Sequence, residues 1–140
     1  MAQTYHLQVV SMDGLEYDGQ VQKILLRTVA GDVEILARHI NYCTAIGMGT
    51  AVVTGENGQQ RRAACIGGML SVMNGEVCVL PTTWEWADEI DLERAKSAKE
   101  RAEERLKDQQ IPEATRVRLE AKLYRALVRI GTAENRQNNG

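Results

Sequence analysis

Arg125 and Arg129 stand four residues apart, and Arg94 and Arg101 seven apart, in the last third of a 140-residue chain. On a helix each pair shares one face, because four and seven residues are close to whole numbers of turns. A guanidinium presents a planar fork of N–H donors that matches the oxygens of a phosphate. If the two helices that carry these residues run antiparallel, the start of the first lies beside the end of the second. Arg94 then approaches Arg125 and Arg129, and the amino end of the first helix adds a field favourable to anions. The chemistry within reach of such a cluster is holding a polyphosphate.

No reactive constellation accompanies it. His6 falls on a predicted strand and His39 in a predicted loop, with no serine or cysteine in a known triad motif. No G-x-x-x-x-G-K phosphate loop occurs. Three cysteines, Cys43, Cys65 and Cys78, are odd in number and widely spaced. They read as buried small apolar residues in a reducing compartment, not as a disulfide frame or a zinc site. The expectation is a protein without catalytic residues, metal or required cofactor.

Composition narrows the partners. The net charge of -2 offers no global attraction to nucleic acid or anionic lipid. Phenylalanine is absent and aromatic content is 4%, too little for base-stacking platforms. With no charged-then-apolar leader and no run of 18 apolar residues, a soluble cytoplasmic protein is expected, linked to a membrane only through a partner.

The elements that must position the arginines divide at about Ala87. Ten of the 12 glycines lie at or before Gly75, while 23 of the 36 charged residues lie from Asp88 onward. The first half reads as short strands. Tyr5–Val9 alternates with period two, and Val21–Leu26 and Ala51–Val53 are β-branched or apolar runs. Asp13-Gly14, Asp18-Gly19, Asn57-Gly58 and Asn74-Gly75 are turn dipeptides. The last two sit between apolar runs and predict hairpins, and the whole predicts a β-sandwich or barrel.

From residue 88 the pattern turns helical. Leu92, Ala95, Ala98, Ala102 and Leu106 form one stripe, with Asp91 placed to cap the amino end. Gln109-Gln110-Ile111-Pro112 ends that helix, since proline cannot continue it but fits the first turn of the next. Leu119, Leu123, Ala126, Ile130 and Ala133 form the second stripe, and the short connection predicts an antiparallel helical hairpin. The tail Gln137–Gly140 is expected to fray. A seam made mostly of alanine gains far less than one of leucine, since each buried methylene contributes roughly 0.8 kcal/mol. Two readings fit such a seam: a close-packed face that stays shut, or a hairpin held weakly enough to open.

Charge separates the two helices. Residues 88 to 110 carry eight acids and six bases; residues 112 to 140 carry Arg116, Arg118, Lys122, Arg125, Arg129 and Arg136 against Glu113, Glu120 and Glu134. That lopsided face is either a solvated surface or one that meets an acidic partner or a polyphosphate.

Over its whole length the chain resembles the epsilon subunit of bacterial F-type ATP synthase. The resemblance rests on Gly31-Asp32-Val33-Glu34-Ile35-Leu36 followed by His39, and on Gly67-Gly68 before a strand pair. It rests also on Ile90-Asp91-Leu92-Glu93-Arg94-Ala95-Lys96 and Arg125-Ala126-Leu127-Val128-Arg129. Proline and glycine positions of the family's first-half loop are replaced here by Glu34, Ala37 and Asn41, and Trp84 and Trp86 are unusual at the junction.

The resemblance implies an α+β protein: a β-sandwich of about ten strands over residues 1–87, then a regulatory two-helix hairpin over 88–140. It implies a non-catalytic rotor subunit at the cytoplasmic face of the bacterial membrane, bound peripherally within the synthase. The gamma subunit, the membrane c-ring and the catalytic beta subunit are its implied partners. Asp32, Arg38 and His39 are the implied rotor-ring or gamma contacts. Ile90, Asp91, Arg94, Ala95, Arg101, Arg125 and Arg129 match the family's motif for a regulatory ATP. The basic residues Arg116, Arg118, Lys122, Arg125 and Arg129 belong to the helix that blocks hydrolysis when extended. The competing expectation is a free-standing adaptor that binds an acidic protein through that helix.

Overall fold

The computed structural model describes the backbone of residues 3–138 and the side chains of residues 3–134. Two compact units result, Met1–Trp86 and Ala87–Gly140.

The first unit contains seven strands: β1 (Tyr5–Ser11), β2 (Gly14–Thr28), β3 (Gly31–Leu36), β4 (Tyr42–Ala45), β5 (Met48–Gly55), β6 (Gln60–Met73) and β7 (Glu76–Trp86). The strand order is β1-β7-β6-β5-β2-β3, and β1 also pairs with β2, so five strands close on themselves. Outside this ring, β3 hangs on β2 and β4 on β6. Among the described residues all pairings are antiparallel except β1 with β7, where Leu7, Gln8 and Val9 face Val77, Cys78 and Val79 in turn.

The expected count of about ten strands and the observed seven describe the same sandwich. β2 pairs with β1 through Gly14–Val21, then with β3 and β5 through Val21–Thr28. β6 pairs with β5 up to Ile66 and with β4 from Met69. β7 follows β6 around the same bend. Three long strands therefore serve both layers, and each supplies two of the segments counted separately in the expectation. The bend in β6 falls at Gly67 and Gly68, whose φ angles of 70° and 107° are in the region that favours glycine.

Between the layers lies one apolar core. Leu7, Val9, Ile24, Leu26, Ile35, Leu70 and Val79 are fully buried in it, with Trp84 and Trp86 at one end. Their alternation with exposed neighbours is the period-two pattern of a half-buried sheet. Trp86 stands edge-on to Trp84 at 5.2 Å between centroids, and the Arg61 guanidinium lies 3.6 Å above its ring. The two tryptophans are thus core and cation–π residues of the sandwich.

Three turn dipeptides behave as expected. Asn74 and Gly75, with φ of 52° and 84°, form the β6–β7 turn, in which two positive φ angles match the twist of the flanking strands. Gly58, at φ 84°, serves the β5–β6 turn, and Gly14 opens β2. The fourth is a correction: Asp18-Gly19 lies inside β2, where Asp18 pairs with Gln8 and Gly19 with Leu7. Fifteen residues of β2 find partners on β1, β3 and β5, and ladder hydrogen bonds outweigh the local turn preference of Asp-Gly. The cysteines need a correction too. Only Cys65 is buried; Cys78 is partly exposed and Cys43, on β4, is exposed. The β4 strand pairs with β6 alone, so it has little beside it to cover an outward side chain.

The second unit opens with a 3-10 turn, Ala87–Glu89, followed by α1 (Leu92–Leu106) and α2 (Glu113–Asn138). Pro112 precedes α2 instead of entering its first turn, and its carbonyl accepts the first helical bond, from Arg116 N at 3.0 Å. The second helix includes Gln137 and Asn138, which were expected to lie in a frayed tail. Asn139 and Gly140, the rest of that tail, and the side chain of Arg136 lie outside the described residues. Among the described residues no helix is long and apolar enough to cross a membrane.

Candidate functional site

The hairpin that carries the arginines starts with a cap. Asp91 sits outside the helix at φ −81° and ψ 97°, and its Oδ1 accepts a hydrogen bond from Arg94 N at 3.1 Å. A carboxylate here satisfies one of the free N–H groups of the first turn and complements the helix dipole. At the other end Lys107 caps α1, and Arg116 reaches back from α2. Its Nη2 donates to the Asp108 carbonyl at 3.1 Å and its Nη1 to that of Leu106 at 3.5 Å. One guanidinium thus ties the interhelical turn to α2 by donating to a carbonyl of the last turn of α1 and to one just beyond it.

The seam between the helices is made of small side chains. Ala95 and Ala102 are the buried residues of α1, and Leu119, Ala126, Thr132 and Ala133 are those of α2 among the described side chains. Thr132 Oγ1 donates to the Val128 carbonyl at 2.8 Å, so its hydroxyl is satisfied within its own helix. Ala98, expected in the stripe, is half-buried. Ion pairs on α1 join Lys99 to Glu103 and Lys107 to Glu104, both exposed and worth at most about 0.5 kcal/mol each.

The register of the hairpin gives the level of each arginine along the two helices. Arg116 lies beside Leu106 and Asp108. Twelve residues back along α1 is Arg94, and twelve forward along α2 is Val128. Both steps span roughly 18 Å at 1.5 Å per residue, in opposite directions. Arg94 is therefore level with the stretch between Arg125 and Arg129. Arg101 is level with Ala121 instead, about one helical turn short of Arg125, and its Nη1 donates to Ser97 Oγ at 3.2 Å. Ile90 and Ala95 are buried, and the Asp91 carboxylate is engaged by the cap. Arg94 and Arg101 are exposed and Arg125 and Arg129 half-buried. Arg94, Arg125 and Arg129 thus stand at one level of the hairpin, beside the amino end of α1.

On the sandwich, the three expected partner contacts fall in two places. Asp32 is at the start of β3, paired with Arg27 Nε at 2.8 Å. Arg38 and His39 follow the end of β3, roughly 20 Å away at 3.3 Å per residue. Arg38 adopts a φ of 66°, taking up in the loop a conformation that glycine usually supplies. His39 N donates to the Leu36 carbonyl at 3.2 Å, its Nδ1 lies 2.8 Å from the Ile40 carbonyl, and its ring stands 5.8 Å from that of Tyr42. Asn41 Oδ1 accepts from Asn74 N at 2.9 Å, which ties this loop to the β6–β7 turn.

The sequence reading passed over the exposed apolar residues. Met69 and Leu80 are cross-strand partners on β6 and β7 and are 43% and 47% exposed; Ile40 reaches 77%. The signal was present in the run from Cys65 to Met73, where Ser71 is the one polar side chain and apolar residues fall on both faces of the strand. On α2, Val117, Tyr124 and Leu127 are likewise exposed. Among the described residues no group of three or more His, Cys, Asp or Glu is arranged to hold a metal ion.

Comparison with known proteins is consistent along the whole chain. Residues 4–87 match the family described as ATP synthase, Delta/Epsilon chain, beta-sandwich domain, and residues 88–134 match its long alpha-helix domain. The ATP synthase epsilon chain of Caldicellulosiruptor bescii is 39% identical over 130 residues, 93% of each chain. That of Caldanaerobacter subterraneus subsp. tengcongensis is 36% identical, over 98% of this chain and 99% of the relative. Among solved structures, a chain of the Euglena gracilis mitochondrial ATP synthase, captured with OSCP, F1 and c-ring, superposes with a TM-score of 0.78 at 26% identity. That superposition covers 98% of this chain and 82% of the other.

Proposed function

The chain belongs to the ATP synthase epsilon-chain family, and on that premise we propose that its helical hairpin is a nucleotide-controlled brake on ATP hydrolysis. As a member it is a non-catalytic subunit of the central stalk. The observation that carries the proposal is the seam of Ala95, Ala102, Ala126 and Ala133. Small residues let the helices approach closely but bury little area, which leaves closed and extended hairpins within a few kcal/mol of each other.

ATP held by Arg94, Arg125 and Arg129, with Arg101 as the fourth cation of the set, favours the closed form. A ligand that binds only that form stabilises it by about 2.7 kcal/mol at a hundredfold excess over Kd. That is enough to reverse a balanced equilibrium. When ATP is scarce α2 is released, and its cations Arg116, Arg118, Lys122, Arg125 and Arg129 dock on an acidic segment of the catalytic beta subunit. The exposed Val117, Tyr124 and Leu127 add apolar area to that contact. The sandwich holds the subunit on the rotor, with Asp32 and the Arg38–His39 loop as separate contacts to the c-ring and gamma. The protein works peripherally at the cytoplasmic face of the bacterial membrane, as part of an ion-translocating synthase. The match to subunits of one complex over nearly the full chain leaves no observation in favour of a free-standing adaptor.

The test is hydrolysis by the assembled synthase with the full chain or with residues 88–140 removed. Truncation should raise hydrolysis and leave copurification with gamma intact; unchanged hydrolysis rules the brake out. In calorimetric titration with ATP, Arg125→Ala should weaken binding by about 1.5 to 3 kcal/mol, the cost of one charge-assisted contact. Equal affinity in the two proteins would remove Arg125 from the site.

A further inference from the structure

A second basic site lies at the opposite end of the hairpin, beside the interhelical turn. A cavity of about 190 Å³ is lined by Arg105 from the last turn of α1 and by Thr115, Arg118, Leu119 and Lys122 from α2. The four α2 residues fall at steps of three and four, so one helix face supplies them all. Arg118 and Lys122 stand one turn apart with like charge, a spacing that costs stability unless something neutralises it. Among the described residues, the ion pairs of the hairpin use Lys99 and Lys107, and no carboxylate pairs with Arg105, Arg118 or Lys122. Three cations without a carboxylate partner and a residue with a hydroxyl thus border one hollow, close to the amino end of α2 and its partial positive charge.

Size decides what fits. The cavity holds the volume of about six waters at roughly 30 Å³ each. Pockets for organic ligands begin near 300 Å³, so the hollow is small for a nucleoside and large enough for a single hydrated oxyanion. We propose that this hollow is a binding site for inorganic phosphate, held by Arg105, Arg118, Lys122 and the Thr115 hydroxyl. The site is distinct from the arginines at the other end, since Arg118 lies roughly two to three helical turns from Arg125 and Arg129 along α2. Because both helices line it, phosphate binds the closed hairpin and shifts the equilibrium towards it. At a phosphate concentration ten times Kd the closed-to-open ratio rises about elevenfold. Only this regulatory consequence rests on the opening and closing proposed above; the site itself does not.

The experiment is a titration of the full chain with sodium phosphate at constant ionic strength, followed by backbone amide NMR, with sodium chloride as the control salt. Saturable shifts centred on Arg105, Thr115, Arg118 and Lys122 are expected. Lys122→Gln and Arg118→Gln should each weaken the apparent Kd about tenfold to a hundredfold. Lys96→Gln, an equal change of charge on an exposed position of α1, should leave it unchanged. Should Arg118→Gln fail to fold, Lys122→Gln decides alone. Shifts that do not saturate, that chloride reproduces, or that centre on Arg94 and Arg125 would overturn the proposal, as would an unchanged Kd in Lys122→Gln. ATP titrated in parallel separates the two readings: loss of phosphate with ATP affinity intact in Lys122→Gln confirms two sites. An equal loss of both merges them and sinks this one.

Discussion

Gly68 and Leu80 touch backbone to backbone: a Cβ added to Gly68 would lie 2.1 Å from the Leu80 carbonyl oxygen. The φ of 107° at Gly68 already excludes most side chains, and the crowding atom belongs to a strand that cannot retreat from its partner. Gly68→Ala should therefore cost about 3 kcal/mol or more, the range of severe single substitutions. Gly75→Ala meets nothing within 4 Å and should cost only about 1 to 2 kcal/mol, the strain of its positive φ. Urea denaturation followed through Trp84 and Trp86 emission measures both. Equal losses at the two positions would contradict the crowding argument.

His6 is held between two carboxylates, with Nε2 at 2.5 Å from Asp18 Oδ1 and Nδ1 at 2.8 Å from Glu76 Oε2. Only the imidazolium can donate to both. Its pKa is raised, first by the hydrogen bond to Asp18 and then by that to Glu76, while the pKa of Asp18 is lowered by the bond from His6. The raised group stabilises the fold fully below the free-imidazole value of about 6.5, and that contribution is lost as pH rises through the folded value. The Asp18 contribution is present above about 3.9 and is lost as pH falls through its lowered value. Melting temperature should accordingly decline above about pH 6.5, and His6→Gln should flatten that decline. NMR titration of His6 giving a pKa at or below the free value would refute the double bridge.

Thiol reactivity should rank by burial. Cys43 is exposed and should react first with a maleimide in the native protein. Cys78 follows, its thiol pushed up by partial burial, and Cys65 comes last, pushed up to about 12 by its apolar surroundings. In denaturant all three should react alike. Mass spectrometry of time points reads the order directly, and early labelling of Cys65 would contradict its place in the core.

At the seam, Ala102→Ser places a hydroxyl where the native side chain is 3% exposed. Burial of a hydroxyl costs about 1 to 3 kcal/mol in proteins, and a bond to the carbonyl four residues back holds the cost near the lower end. Paired with Ala98→Ser, it should favour the extended hairpin and strengthen inhibition when ATP is low. Faster amide exchange along α2 would report the shift. Unchanged exchange in the double variant, with and without ATP, would mean a fixed strut.

The features legible from sequence were those fixed by near neighbours. Asp91 caps α1 because its side chain meets an N–H only three residues on. Asn74-Gly75 turns because two adjacent φ angles decide the turn. The antiparallel hairpin itself was legible from the short break at Gln109-Gln110-Ile111-Pro112 between two apolar stripes. Features that depend on distant pairing were not legible. Asp18-Gly19 carries a turn signature, yet it is held straight by residues of β1 about ten positions earlier. Cys43 shares its composition class with Cys65, but one lies on a strand with a single neighbour and the other between β5 and β7. The cavity at Arg105 needs the axial offset between two helices, which hydrophobic period alone does not give.

The parallel pairing of β1 with β7, Leu7 with Val77 and Val9 with Val79, sets an order of events during synthesis. Of the seven strands β1 leaves the ribosome first, and its neighbour β7 emerges some seventy residues later. Until then β1 has only β2, and the apolar faces of Leu7 and Val9 lack half their cover. Closure of the ring is thus a late, long-range step with a high loop-closure cost, and it slows folding in the way non-local strand pairing does. The helical hairpin, built from contacts within about fifty residues, has no such wait. In this chain the later-made part is positioned to fold quickly, while the earlier-made part must wait for its seventh strand.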